Sequence, residues 1–247
     1  QMCIRDRSGY LGDPEFFGTS VAILVGDLAL VYAEDMFQDS GLSAAALHRA
    51  RSAWRGMRTE VIGGQLLDIS LEAAGSESVE LANSVNRYKT AAYTIERPLH
   101  LGASIAGASE ELIAAFRGYG QDIGIAYQLR DDQLGVFGDP AVTGKPAGDD
   151  LREGKRTELL ALALRRADES DPQAAATLRK LIGHTSDPQE LSRLAQIIAD
   201  SGAPEEIERR IASLTQSGLQ HLRAARVDPA VTETLEQLAI KATARHK

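Results

Sequence analysis

Three Asp-Pro pairs restrict what this chain can fold into more than any other feature: Asp171-Pro172, Asp187-Pro188 and Asp228-Pro229. An aspartate accepts hydrogen bonds from the free N–H groups at a helix start, and proline suits the first helical position because it has no N–H to lose. Each pair therefore opens a helix. Ser109-Glu110-Glu111 and Ala203-Pro204-Glu205-Glu206 put carboxylates in first turns, where the helix dipole favours negative charge. No run alternates with period two and β-branched enrichment, so strands are not expected. The pattern predicts an all-α chain, with helices near 14–38, 43–74, 78–106, 109–138, 156–169, 172–184, 188–200, 204–224 and 229–245. Pro98 should kink or break the third. The closing helices read as short and polar-faced, and 139–155 reads as a long loop of the kind that often carries function.

Composition excludes several classes. Hydrophobic residues make up 43% of the chain, enough for a sizeable core, and the net charge of −8 argues against a broad nucleic-acid surface. The single cysteine, Cys3, rules out an internal disulfide framework and a cysteine zinc site, and fits a reducing, cytoplasmic setting. Phe16 to Ala33 is the most apolar run, but Asp27 interrupts it. A bilayer span needs ~20 apolar residues with few or no charges, so this run is expected to be a buried core helix and not a transmembrane segment. Residues 1–8 show no periodicity and read as a leader foreign to the domain that follows.

Three clusters carry chemistry. In Tyr127-Gln128-Leu129-Arg130-Asp131-Asp132-Gln133-Leu134-Gly135, positions 128, 131, 132 and 135 fall at helical spacings of three and four and share a face. Carboxylates are hard oxygen ligands for Mg²⁺, and the lysines of the following loop, Lys145 and Lys155, are point charges for phosphate. By spacing alone, the Asp131-Asp132 pair reads equally well as a solvated helix end. Lys89 and Thr90 interrupt an otherwise apolar helix, as a snorkelling lysine also would. Gly63 and Gly64 sit mid-helix at ~1 kcal/mol each relative to alanine, a cost that close packing or a ligand surface would explain, and Gln65 and Asp68 beside them should face one way.

Together these pieces resemble the trans-isoprenyl diphosphate synthases, the polyprenyl synthetase family, of short-chain geranylgeranyl or farnesyl type. The resemblance runs from about Tyr10 to the C-terminus. It rests on Gly26-Asp27-Leu28-Ala29-Leu30, Gly64-Gln65-Leu66-Leu67-Asp68, Tyr88-Lys89-Thr90, Tyr127-Gln128-Leu129-Arg130-Asp131-Asp132, and Gly138-Asp139-Pro140 through Thr143-Gly144-Lys145, in that order and at those separations. It implies an isoprenoid-synthase-type helical bundle around a central cavity, usually a homodimer. It also implies condensation of isopentenyl diphosphate with an allylic diphosphate, with Mg²⁺ required. On this resemblance Asp131 is a metal ligand with Asp132 beside it, and Lys89 and Lys145 contact the allylic diphosphate. Thr90 and Gln128 present oxygen dipoles to the allylic cation. Asp150 and Lys155 belong to a loop that closes over the diphosphate, and Gln65 and Asp68 line the pocket nearby.

Two departures qualify the resemblance. The family's second aspartate-rich motif ends in a third aspartate, where this chain has Gly135, so weaker or rearranged metal binding is expected. The family's first aspartate-rich motif has no counterpart before Tyr10. The chain is therefore read as one domain over 9–247 that lacks its first helices and is poorly active alone. The alternative is a non-catalytic regulatory subunit of a heteromeric synthase. An upstream Asp-Asp-x-x-Asp would disfavour that alternative.

Overall fold

The structure is a computed structural model that describes residues 9, 11–144 and 147–244. The proposed leader over 1–8 and the phosphate-binding candidate Lys145 lie outside the described residues. The chain divides into two compact units, Gln1–His48 and Arg49–Lys247.

In the first unit, helix α1 (Pro14–Gln38) starts where Asp13 accepts from the Glu15 N–H. The expectation of a buried core helix is not met: none of its residues is buried. Phe16, Ile23, Leu24, Val25, Leu28, Val31 and Met36 are exposed, on every side of the helix. By length and composition alone α1 could also cross a membrane. The apolar run correctly signals a surface that needs covering, but a run in the sequence does not say what covers it. The first turn of α2 (Ala44–Ala74) completes this unit.

Among the described residues of the second unit, all regular secondary structure is helical. After α2 a non-helical turn over 75–78 leads into α3 (Val79–Val85), which runs on through a π-helix (Asn86–Glu96) into α4 (Arg97–Ala106) without leaving helical geometry. The expected break at Pro98 is absent. Ahead of the proline the ladder widens, and the Arg97 N–H donates to the Ala92 carbonyl, five residues back. A widened turn relieves the clash that a proline makes with the carbonyl four residues earlier. The long α5 (Glu110–Phe137) follows. The expected loop holds two short helices, α6 (Pro140–Thr143) and α7 (Asp149–Glu153). Then come α8 (Glu158–Ser170), α9 (Pro172–Leu181), α10 (Pro188–Asp200), α11 (Ala203–Ala224) and α12 (Pro229–Thr243). All three Asp-Pro aspartates cap as the sequence requires, Asp171 accepting from the N–H groups of Gln173 and Ala174.

Helix α5 is the axis, packed along α11 on one side and along the π-helix on the other. Glycines set both approaches. A Cβ on Gly120 would come within 2.5 Å of the Glu96 Cα, and one on Gly124 within 2.5 Å of the Ala91 Cα. On the other flank of the π-helix, a Cβ on Gly64 of α2 would lie 2.8 Å from the Lys89 Cα, while Gly63 faces open space. On the α11 side, Gly118 admits the His221 ring and Gly218 admits Ile123.

The main core joins α5, α8, α10 and α11 through residues such as Leu129, Leu160, Leu194 and Ile207. Helix α8 departs from the polar-faced expectation, since Glu158 through Leu164 are all buried. Glu158 is fully buried and pairs with Arg210, whose guanidinium also donates to Asn83 Oδ1 at 2.7 Å. Burial pushes its pKa from the ordinary 4.5 up to about 7; Arg210 opposes the rise and Glu206 adds to it.

Two predictions follow from this packing. Gly124→Val should lose about 3 kcal/mol in urea denaturation, because a backbone contact cannot be relieved by a rotamer change; a loss under ~1 kcal/mol would show that the crossing relaxes freely. Because the folded state holds the Glu158 proton more tightly, the stability this gives is complete below pH 4.5 and is lost as pH rises through about 7. Glu158→Gln should therefore match the parent near pH 4 and exceed it by up to about 3 kcal/mol at pH 8 in paired melts.

Candidate diphosphate and metal site

The C-terminal half of α5, the π-helix and the loop bearing α7 meet around a cavity of about 250 Å³. A larger groove of about 630 Å³ lies between the start of α5 and the end of α11, but its lining is mostly alanine and leucine, with no cluster of facing charges. The smaller cavity carries the chemistry. Asp68, Lys89, Thr90, Gln128, Asp131, Asp132, Asp150 and Lys155 all line it. Of the site residues expected from sequence, Gln65 is exposed and does not line it.

Each lysine is held by a carboxylate. The Lys89 ammonium pairs with Asp68 across the glycine crossing between α2 and the π-helix. Lys155 Nζ donates to Asp150 Oδ1 at 2.5 Å. Burial works against the Lys155 charge, but Asp150 and Glu153 outweigh it and raise the lysine's pKa.

The oxygen dipoles are wired together. The Thr90 hydroxyl donates to Gln128 Oε1 at 2.7 Å, and Gln128 Nε2 donates to Asp132 Oδ1 at 2.7 Å. The Gln128 carbonyl oxygen is thus engaged, whereas the Thr90 oxygen, as donor in that bond, keeps its lone pairs.

The two adjacent aspartates differ in environment. Asp131 is half-buried on the cavity wall, whereas Asp132 is 4% exposed. Burial pushes the Asp132 pKa well above the usual carboxylate range; the Gln128 amide opposes this, and the Asp150, Asp131 and Glu158 carboxylates add to it. Asp132 Oδ2 has no hydrogen-bond partner among the described residues. The neighbours Arg130 and Gln133 face away from the cavity and lock the helix end in place. Arg130 donates to Glu208 Oε2 at 2.7 Å and to the Thr243 carbonyl at 2.9 Å, and Gln133 donates to the Pro204 carbonyl at 3.0 Å.

Gly135 is not an empty place on this wall. A Cβ there would collide with the Asp150 carboxylate, which reaches across from α7. Sequence reasoning missed three further polar lining residues, Asn86, Arg156 and Thr157. Only the register of Asn86, one turn before Lys89 and Thr90, offered a signal.

The donor set fits Mg²⁺. Among the described residues no three acidic, histidine or cysteine side chains are grouped to hold a metal unaided. Magnesium, however, keeps several waters and is commonly bound by one or two carboxylates together with substrate phosphates. Asp131 and the unpartnered oxygen of Asp132 offer such a half-site.

Comparison with known proteins agrees with this geometry. The sequence profile of the family described as Polyprenyl synthetase matches residues 10–200. A geranylgeranyl pyrophosphate synthase from Corynebacterium glutamicum, solved in complex with isoprenyl diphosphate and magnesium, is 62% identical with a TM-score of 0.96, covering 99% of this chain and 69% of that one. The geranylfarnesyl diphosphate synthase of Aeropyrum pernix is 39% identical over 156 residues, 61% of this chain and 48% of that enzyme. A (2E,6E)-farnesyl diphosphate synthase of Mycobacterium bovis is 36% identical over 143 residues, 57% of this chain and 38% of that enzyme. The matches thus span less than half the length of these two relatives. With the profile covering most of its residues, the chain belongs to the polyprenyl synthetase family.

Proposed function

We propose that the protein is a short-chain prenyl diphosphate synthase, joining isopentenyl diphosphate to an allylic diphosphate such as geranyl or farnesyl diphosphate. One observation carries the reading: two lysine–carboxylate pairs and the Asp131-Asp132 pair surround a single cavity. Each lysine can exchange its carboxylate for a phosphate oxygen, which makes the Asp68 and Asp150 carboxylates available to cations. The complex of the Corynebacterium enzyme with isoprenyl diphosphate and magnesium supports the same ligand chemistry.

Bound Mg²⁺ would supply charge neutralisation as the allylic C–O bond breaks and the diphosphate leaves. Asp131 and Asp132 are the residues to hold it. Lys89 and Lys155 stabilise the departing diphosphate oxygens through charge. Thr90 turns its oxygen lone pairs towards the carbon that becomes cationic. Gln128 orients both Thr90 and Asp132, with its two amide atoms each engaged. The last proton is assigned to the departed diphosphate, so no histidine is required. Asp150 fills the space over Gly135, so a carboxylate from α7 stands where the family's third aspartate would be. The exposed apolar surface of α1 supports assembly as a homodimer.

Two measurements test this. In the full-length protein Asp131→Ala should lower turnover of labelled isopentenyl diphosphate by orders of magnitude; a change under tenfold, only ~1.4 kcal/mol of barrier, would sink the ligand assignment. Gly135→Ala should push the Asp150 carboxylate off the helix. Amide hydrogen exchange over residues 149–155 should then rise roughly tenfold as the Lys155 pair is lost; unchanged exchange would mean that Asp150 is not held there.

A further inference from the structure

Asn86 has no task in the scheme above, yet it is 4% exposed and lines the same cavity. Its Nδ2 is buried and has no hydrogen-bond partner among the described residues. Other buried or half-buried amides around the site are satisfied: Gln128 and Gln133 each engage both side-chain atoms. An unpaired buried N–H is costly, so a fold that retains one has an acceptor in view.

The acceptor is not Asp132. Its Oδ2 is also buried, also lines this cavity and also lacks a partner. If the two groups served each other, neither would be left over. A donor and an acceptor are thus held apart across one cavity, and what fits between them offers an acceptor to Asn86 and a cation or donor to Asp132. A magnesium-bound diphosphate does both. The register agrees, since Asn86 lies three and four residues before Lys89 and Thr90 on the same helix. Arg156 Nε, another cavity-lining donor without a partner among the described residues, adds to the anion-seeking character of this wall.

We infer that Asn86 is a further substrate-binding residue, its amide donating to an oxygen of the bound diphosphate. This rests on the diphosphate reading of the cavity. The test is calorimetric titration of inorganic pyrophosphate, with Mg²⁺ in excess, into the full chain and its Asn86→Leu, Asn86→Asp and Lys89→Ala variants, with melting temperatures taken without ligand. Asn86→Leu should weaken pyrophosphate roughly tenfold, the scale of one hydrogen bond to a charged group. Its ligand-free melting temperature should hold or rise, because an unpaired polar group has been removed. Asn86→Asp, nearly isosteric, should bind more weakly still by placing a carboxylate against the anion. Unchanged affinity in both Asn86 variants, with Lys89→Ala weakened, would overturn the inference alone and leave Asn86 to an ordered water. A melting temperature lower by several degrees in Asn86→Leu would assign it a structural role instead. Absence of pyrophosphate binding in the parent chain would overturn the diphosphate reading, and this inference with it.

Discussion

The close approach of α5 to the π-helix is the constraint on which the site depends. Gly120 and Gly124 let the backbones of Glu96 and Ala91 come nearer than any side chain would allow. At that spacing the Thr90 hydroxyl on one helix reaches Gln128 on the other, and Gln128 in turn reaches Asp132. A third glycine, Gly64, draws α2 against Lys89 and brings Asp68 within reach of its ammonium. Polar contacts among three segments are therefore assembled by three missing methyl groups. Tight packing makes such contacts discrete, since cores resist continuous deformation.

On the proposed diphosphate reading, the cavity keeps opposite charges paired in advance of a ligand that carries both signs. A lone buried lysine or carboxylate is expensive, and a pair is far less so. Lys89 with Asp68 and Lys155 with Asp150 keep each other solvated while the cavity holds no anion. A metal–diphosphate complex has the same alternation of charge and can enter by partner exchange, without leaving any ion bare. Asp132 lies outside these pairs, which is why burial raises its pKa so far.

Local signals were legible in the sequence, and tertiary ones were not. Helix starts at Asp171, Asp187 and Asp228 could be read because a cap needs only its own next few residues. The crossing at Gly64 was signalled by a different cue, the cost of glycine in mid-helix, although its partner Lys89 could not be read. Pro98 does not break the helix, and the sequence could not show this, since the widened turns before it depend on the helices packed around them. Asp131 and Asp132 look alike as letters, but neighbours on a helix point about 100° apart. Both line the cavity, but Asp131 stays half-buried on its wall while Asp132 is buried and turns towards Gln128. Asn86 was signalled only by its register one turn before Lys89 and Thr90, because an amide in a helix has no distinguishing pattern of its own. Gly135 reads in the sequence as weakening or rearranging the metal site, and the sequence cannot show that Asp150 folds back over it.

Helix α1 has a thermodynamic consequence. Its apolar side chains face outward all round and none is buried. Whatever covers them, be it another protein surface or an amphiphile, contributes its own association free energy to the folded state. The unfolding free energy of a preparation is then not a property of the sequence alone. It carries a mass-action component, and a melting temperature for this chain has meaning only alongside the concentration at which it was taken.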